Sequence, residues 1–216
     1  GKVGALKGFG AKSEEKILKG ILHAKTMTGR FLLNEAAETA ESLLKIIRAV
    51  KGVERAEAAG SLRRGKETIG DVDILAAGAA AVAPKAMKAL TEHPDVEEVL
   101  GSGGTKTSVR LKSGMQVDLR FLKPEEFGAA WQYFTGSKEH NVALRARAQK
   151  RGLTLNEYGV SRVKDEKLVA SKTEEDVYKA LEKADINHRQ ADGVVVAIRM
   201  GKLTRADYLE ITGVSQ

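Results

Sequence analysis

Gly60-Ser61-Leu62-Arg63-Arg64-Gly65-Lys66-Glu67-Thr68-Ile69-Gly70-Asp71-Val72-Asp73 runs straight into the apolar Ile74-Leu75-Ala76-Ala77. If Val72 to Leu75 begins a strand, side chains alternate between its faces. Val72 and Ile74 then enter a core, while Asp71 and Asp73 share the opposite face. Two carboxylates aimed at one point repel each other when both are ionised. A hard divalent cation relieves that repulsion, and Mg²⁺ commonly takes one or two protein carboxylates together with phosphate oxygens of a substrate. The upstream residues suit phosphate. Gly60 and Ser61 form a tight turn whose N–H groups and hydroxyl can hold phosphate oxygens, most strongly if a helix starts there. Arg64 adds a forked, permanent charge, and Gly70 lets the backbone approach a ligand. Singly, each piece fits a turn with a solvated basic rim and a strand whose aspartates face water; their joint order and spacing favour a site.

Composition narrows the partner. The 216 residues are 42% hydrophobic and 30% charged, enough for one large domain or two to three small ones. A net charge of +7 and a pI near 9.5 favour a polyanion. The absence of cysteine excludes disulfides and thiolate zinc sites, and fits a reducing compartment. His23, His93, His140 and His188 lack metal-ligand spacing. With no apolar run near the ~20 residues of a membrane span and no signal-peptide core at the N-terminus, a soluble, cytoplasmic protein is expected.

Further along the chain, Thr105 to Leu111 and Met115 to Leu122 read as a hairpin joined at Lys112-Ser113-Gly114. Alternation sends Val117, Leu119 and Phe121 one way and Gln116, Asp118 and Arg120 the other. Helices are predicted over Arg30 to Val50, with Phe31, Leu32, Ala36, Ala40, Leu43, Leu44 and Ile47 on an apolar stripe, and over Pro84 to Glu92, His140 to Arg151 and Thr173 to Lys183. Short strands are predicted after Gly52 and over Val96 to Leu100, the latter followed by a turn at Gly101-Ser102-Gly103-Gly104. Near the N-terminus, Gly8-Phe9-Gly10 precedes a predicted helix with Ile17, Leu18 and Ile21 on one face.

The Gly60 to Asp73 run resembles the catalytic signature of the nucleotidyltransferase superfamily that includes DNA polymerase beta. Its R-R-G-x-E-x-x-G-D-x-D detail is similar to family X DNA polymerases, of bacterial type. Val117-Asp118-Leu119-Arg120 resembles the hairpin strand that carries this family's third aspartate. Tyr133-Phe134-Thr135-Gly136-Ser137 resembles its thumb signature, Leu155-Asn156-Glu157-Tyr158 matches its L-N-E-Y strand, and Gly8 to Lys12 resembles half of a helix-hairpin-helix element.

What this resemblance implies is an α+β fold: a nucleotidyltransferase palm with a mixed β-sheet (29–130), a partial helix-hairpin-helix (1–28) and a thumb-like subdomain with a C-terminal tail (131–216). The implied reaction is template-directed addition of dNMP to a DNA 3′-hydroxyl with pyrophosphate release, in gap filling during DNA repair. Asp71, Asp73 and Asp118 would hold two Mg²⁺, with Mn²⁺ a possible substitute. Gly60, Ser61, Arg64 and Gly70 would bind the triphosphate, and Tyr133, Phe134, Gly136, Lys138 and Asn141 the nucleotide. Arg145 would meet the template, Arg120, Glu157 and Tyr158 would support the site, and Gly8, Gly10 and Lys12 would grip a DNA backbone phosphate. Partners would be gapped or primer-template DNA and a dNTP, with no membrane, and the protein would be a monomer. Lys138 departs from the acidic residue that the beta type carries there, and could add a contact to base or triphosphate. Only seven residues precede Gly8, so the hairpin is expected to be incomplete, without the family's lyase domain. The chain also stops about where the phosphoesterase domain of bacterial members would begin, so neither of those activities is expected. Two other readings stand beside this one: a template-independent, RNA or small-molecule nucleotidyltransferase, and a non-catalytic nucleic-acid-binding module.

Overall fold

The strand that starts at Asp71 is flanked on both sides in the computed structural model, which describes residues 3, 10–15, 17, 18 and 29–182. Contacts divide the chain into two units, Gly1–Arg30 and Phe31–Gln216. In the first, residues 11–15, 17 and 18 are helical, and the Gly10 carbonyl accepts from the N–H groups of Ser13 and Glu14. Lys12 is exposed. Ile17 and Leu18, expected on one apolar face, are exposed as well. Gly8 and Ile21 lie outside the described residues.

The second unit opens with β1 (Phe31–Leu32) and α1 (Leu33–Ala49). Here the expected helix over Arg30 to Val50 is corrected. Phe31 and Leu32 pair with Ile69 and Thr68 of β3 (Thr68–Ile69), because the Glu35 carboxylate reaches back to the Leu32 N–H and sets the helix start one residue later. From there α1 buries Ala36, Ala40, Leu43, Leu44 and Ile47, the i, i+4, i+7, i+8 stripe of a helix lying on a sheet. β2 (Val53–Ala58) leads through the short α2 (Gly60–Arg63) and β3 to β4 (Asp71–Gly78). Then come α3 (Ala83–Thr91), β5 (Val96–Ser102), β6 (Lys106–Leu111) and β7 (Gln116–Leu122). β5 runs through Gly101 and Ser102, which were expected in a turn; the turn itself is closed by the Gly103 N–H donating to the Lys106 carbonyl.

The five-stranded sheet has the order β2-β4-β7-β6-β5 and is mixed: only the β4–β7 pair is parallel. One face packs Val72, Ile74, Val117, Leu119 and Phe121 against α1 and α3, where Met87 and Leu90 are buried. On the other face, α4 (Phe127–Thr135) covers only the later half of β4, through Phe127 and Ala130 against Leu75 and Ala77. Asp71 and Asp73, at the start of β4, are left uncovered by that helix. This half-coverage positions the site.

Ala129 of the same helix joins a second core with Leu144, Ala148, Leu155, Val160, Val177 and Leu181. It is built by α5 (Lys138–Gln149), the antiparallel β8 (Leu153–Asn156), β9 (Gly159–Arg162) and β10 (Leu168–Ala170), and α6 (Glu174–Glu182). The expected single strand through Leu-Asn-Glu-Tyr is corrected to a hairpin. The Asn156 side-chain oxygen accepts from the N–H groups of Tyr158 and Gly159 at 2.9 and 3.2 Å, turning the chain so that Glu157 and Tyr158 form its tip. α6 is capped by Thr173, whose hydroxyl accepts from the Asp176 N–H. The tail from Ala184 lies outside the described residues.

Candidate active site

Parallel pairing sets Asp73 directly beside Asp118, and Asp71 beside Gln116. Strands lie about 4.8 Å apart and residues two apart share a face, so Asp71, Asp73 and Asp118 look out from one side of the sheet. Asp71 is exposed, Asp73 half-buried and Asp118 buried. Asp73 is seated against the α2 turn: the Ala59 N–H donates to its carbonyl, and a Cβ on Gly60 would stand 2.2 Å from its Oδ2. Gly60 also has φ +61, so both backbone conformation and space reserve this position for glycine.

The electrostatics follow from this crowding. Burial first, then the like charges of Asp71 and Asp118, push the Asp73 carboxyl up to about 6, against a partial opposing pull from Arg120 and Lys106. Asp118 goes the other way. Burial would raise it, but hydrogen bonds from Lys106, Ser108 and Gln116 outweigh that and hold it below the ordinary carboxylate range. Lys106 Nζ lies 2.6 Å from Asp118 Oδ2, and Gln116 Nε2 donates to Oδ1 at 3.0 Å. The repulsion centred on Asp73 is what a divalent cation would relieve, so the donor set fits such an ion. Among the described residues, no three His, Cys, Asp or Glu side chains form a ready-made metal cage.

The arginines after Gly60 do two different jobs. Arg64 reaches the C-terminal end of α4, where its Nη1 donates to the Thr135 carbonyl. A Cβ on Gly136 would meet that nitrogen at 3.3 Å, and Gly136 has φ +69 and a cis bond to Ser137. Arg64 and the Gly136-Ser137 turn therefore adjoin. Arg63, for which sequence reasoning gave no role, pairs bidentately with Glu174 at 2.6 Å for both contacts, donates to the Thr135 hydroxyl at 2.7 Å and lies over the Trp131 ring at 3.5 Å. It ties α2 to α4 and α6. No local spacing signals that role, because Glu174 is 111 residues away. Lys106 and Ser108, also missed, were within reach: they alternate on the polar face of β6 as Asp118 does on β7, and Ser108 is Asp118's cross-strand partner.

The residues expected to meet the nucleotide cluster at the end of α4 and the start of α5. Tyr133 and Phe134 meet edge to face at 5.2 Å, and the Arg120 guanidinium lies over the Phe134 ring at 4.2 Å. Asn141 Nδ2 donates to the Tyr133 carbonyl at 2.7 Å while its Oδ1 accepts from Gln132. Lys138 is exposed at the start of α5, and Arg145 is half-buried further along it. Glu157, Tyr158, Arg120 and Phe134 line one cavity of about 320 Å³. Gly10 and Lys12 belong to the other unit. Ser61 and Gly70 are half-buried, at α2 and just before β4.

A mixed sheet with a Gly-Ser turn and three aspartates on one open face defines a nucleotidyltransferase palm. The DNA polymerase beta palm matches residues 30–103 and the DNA polymerase beta thumb residues 130–185, together more than half of the chain. The chain is 35% identical over 179 residues to the DNA polymerase/3′-5′ exonuclease PolX of Bacillus subtilis (strain 168), covering 82% of this chain and 31% of that protein. It is 28% identical over 188 residues to DNA polymerase lambda of Rattus norvegicus, covering 75% of this chain and 33% of that one. The chain belongs to the DNA polymerase beta family, family X, and spans about a third of the length of these relatives. Asp118 falls in neither matched domain range; its place rests on register with Asp73.

Proposed function

We propose that the chain is the polymerising core of a DNA-directed DNA polymerase, adding dNMP from a dNTP to a DNA 3′-hydroxyl under template direction and releasing pyrophosphate, in gap filling during DNA repair. The observation that carries this reading is the adjacency of Asp73 and Asp118 across the parallel pair, with Asp71 on the same face. Asp71, Asp73 and Asp118 would hold two Mg²⁺, or Mn²⁺ in their place. Bound there, the ions supply charge stabilisation for the attacking and leaving oxygens.

The remaining work falls to the chain's own groups. Gly60, Ser61, Arg64 and Gly70 hold the β and γ phosphates; because Arg64 is anchored on the Thr135 carbonyl, its charge is aimed before substrate arrives. Arg120, stacked on Phe134, favours the ionised form of Asp73 and supports the carboxylates from behind, with Glu157 and Tyr158 across the cavity. Tyr133, Phe134 and Gly136 wall off a ribose 2′-hydroxyl, Lys138 adds charge near base or triphosphate, and Asn141 reaches the nucleotide's minor-groove edge by exchanging one of its present bonds. Arg145 meets the template, while Gly8, Gly10 and Lys12 grip the DNA backbone. In this reading residues 1–28, 29–130 and 131–216 are the hairpin, palm and thumb parts of a cytoplasmic monomer. The described residues contain no helix long and apolar enough to cross a membrane.

Asp118→Ala tests the reading. On gapped primer-template with Mg²⁺, at two salt concentrations because phosphate contacts weaken steeply with salt, the variant is expected to bind DNA like wild type and to lose incorporation. Retained incorporation refutes the assigned role.

A further inference from the structure

Both oxygens of Asp118 are already engaged by the protein: Oδ2 by the Lys106 ammonium at 2.6 Å and Oδ1 by the Gln116 amide at 3.0 Å. A divalent ion seated on Oδ2 would stand against the like charge of the ammonium already there, so ion and lysine compete for that oxygen. The Gln116 amide is neutral and can stay on Oδ1, because a carboxylate that holds a metal ion keeps its other hydrogen bonds. Lys106 differs in two respects. It comes from the next strand, opposite Arg120, and its side chain is 42% exposed. A lysine is a point charge on a flexible four-carbon stem, and an ion pair with one exposed partner is weak enough to exchange.

We propose that Lys106 is an internal cation gate on Asp118: its ammonium holds the carboxylate in place beside Asp73 until a divalent ion displaces it, and so sets the metal concentration at which the site fills. This rests on the metal-dependent reading above. It assigns Lys106 the role of a positioning residue, acting through Asp118. Once displaced, the ammonium remains on the open face of the sheet opposite Arg120, where a nucleic-acid phosphate is its natural next partner. Metal entry and strand binding would then favour each other, because each draws Lys106 off the same carboxylate or keeps it off.

The test compares Lys106→Met, which keeps the stem and removes the charge, with Lys106→Arg, which keeps the charge. Mn²⁺ is titrated into the DNA-free, nucleotide-free 216-residue chain and followed by the EPR signal of free Mn²⁺. Half-saturating Mg²⁺ is measured separately in primer extension. Lys106→Met is expected to bind Mn²⁺ about three- to tenfold more tightly than wild type, the range set by an exposed ion pair and a nearby like charge. Its half-saturating Mg²⁺ should fall by a similar factor, and Lys106→Arg should stay near wild type in both. Thermal melting reports whether these substitutions leave the fold intact. If wild type binds Mn²⁺ and extends primers but Lys106→Met binds no more tightly, the gate is wrong and the polymerase reading stands. If wild type binds no Mn²⁺ and extends no primer, both fall.

Discussion

Asp73→Asn should stabilise the metal-free protein while ending nucleotide incorporation. Wild-type Asp73 is raised from an ordinary 3.8 to about 6 by burial and by Asp71 and Asp118. At ~1.4 kcal/mol for each tenfold change in proton affinity, holding it ionised opposes folding by about 3 kcal/mol. The sign follows from which state binds protons better. The folded form does, so the penalty is complete above pH 6, shrinks as pH falls through 6 and is gone below 3.8. Asparagine keeps the shape beside Gly60 and carries no charge. At pH 8 without divalent ions, Asp73→Asn should therefore melt about 6–12 °C higher than wild type, taking ~2–4 °C per kcal/mol for a chain of this size. The gap should narrow steadily towards pH 4. Added Mg²⁺ should also narrow it from the other side, by stabilising wild type and leaving the variant unmoved. Differential scanning calorimetry across pH 4–8, with and without Mg²⁺, measures all three trends. A variant that melts at or below wild type at pH 8 would refute the electrostatic account of the site.

Other expectations follow from particular contacts. Gly60→Ala places a methyl 2.2 Å from Asp73 Oδ2 at a φ of +61, so incorporation should fall well over tenfold on gapped DNA; near-wild-type kcat/KM would show that Asp73 need not be seated there. Glu174→Gln leaves Arg63 without its bidentate partner between α2 and α6 and should lower stability by about 2–3 kcal/mol in urea unfolding. Arg63→Lys should behave similarly because an ammonium cannot reproduce the fork, and an unchanged midpoint in both variants would remove the clamp. Leu144→Ala empties the second core and should cost about 2–5 kcal/mol, read in the same unfolding experiment.

Much of this fold is written in short-range pattern. The alternation of Val72 and Ile74 with Asp71 and Asp73, and of Val117, Leu119 and Phe121 with Asp118 and Arg120, identifies which face of each strand is buried, because side chains in a strand alternate whatever their neighbours are. The helical stripe of α1 is legible because helical periodicity is equally local. Short-range pattern misleads where a distant strand or a capping side chain intervenes. Phe31 and Leu32 look helical in isolation but pair with Ile69 and Thr68, and Asn156 folds Glu157 and Tyr158 into a hairpin tip.

The sequence by itself determined that two carboxylates share a strand face beside a phosphate-suited turn, and that a third lies on a polar strand face elsewhere. Only tertiary structure decided that these two strands are parallel neighbours in register, that Lys106 meets Asp118, and that α4 covers β4 just far enough to leave Asp71 and Asp73 open. Periodicity is a local property of the backbone, whereas register and coverage depend on which distant segments pack together, and no spacing along the chain encodes that directly.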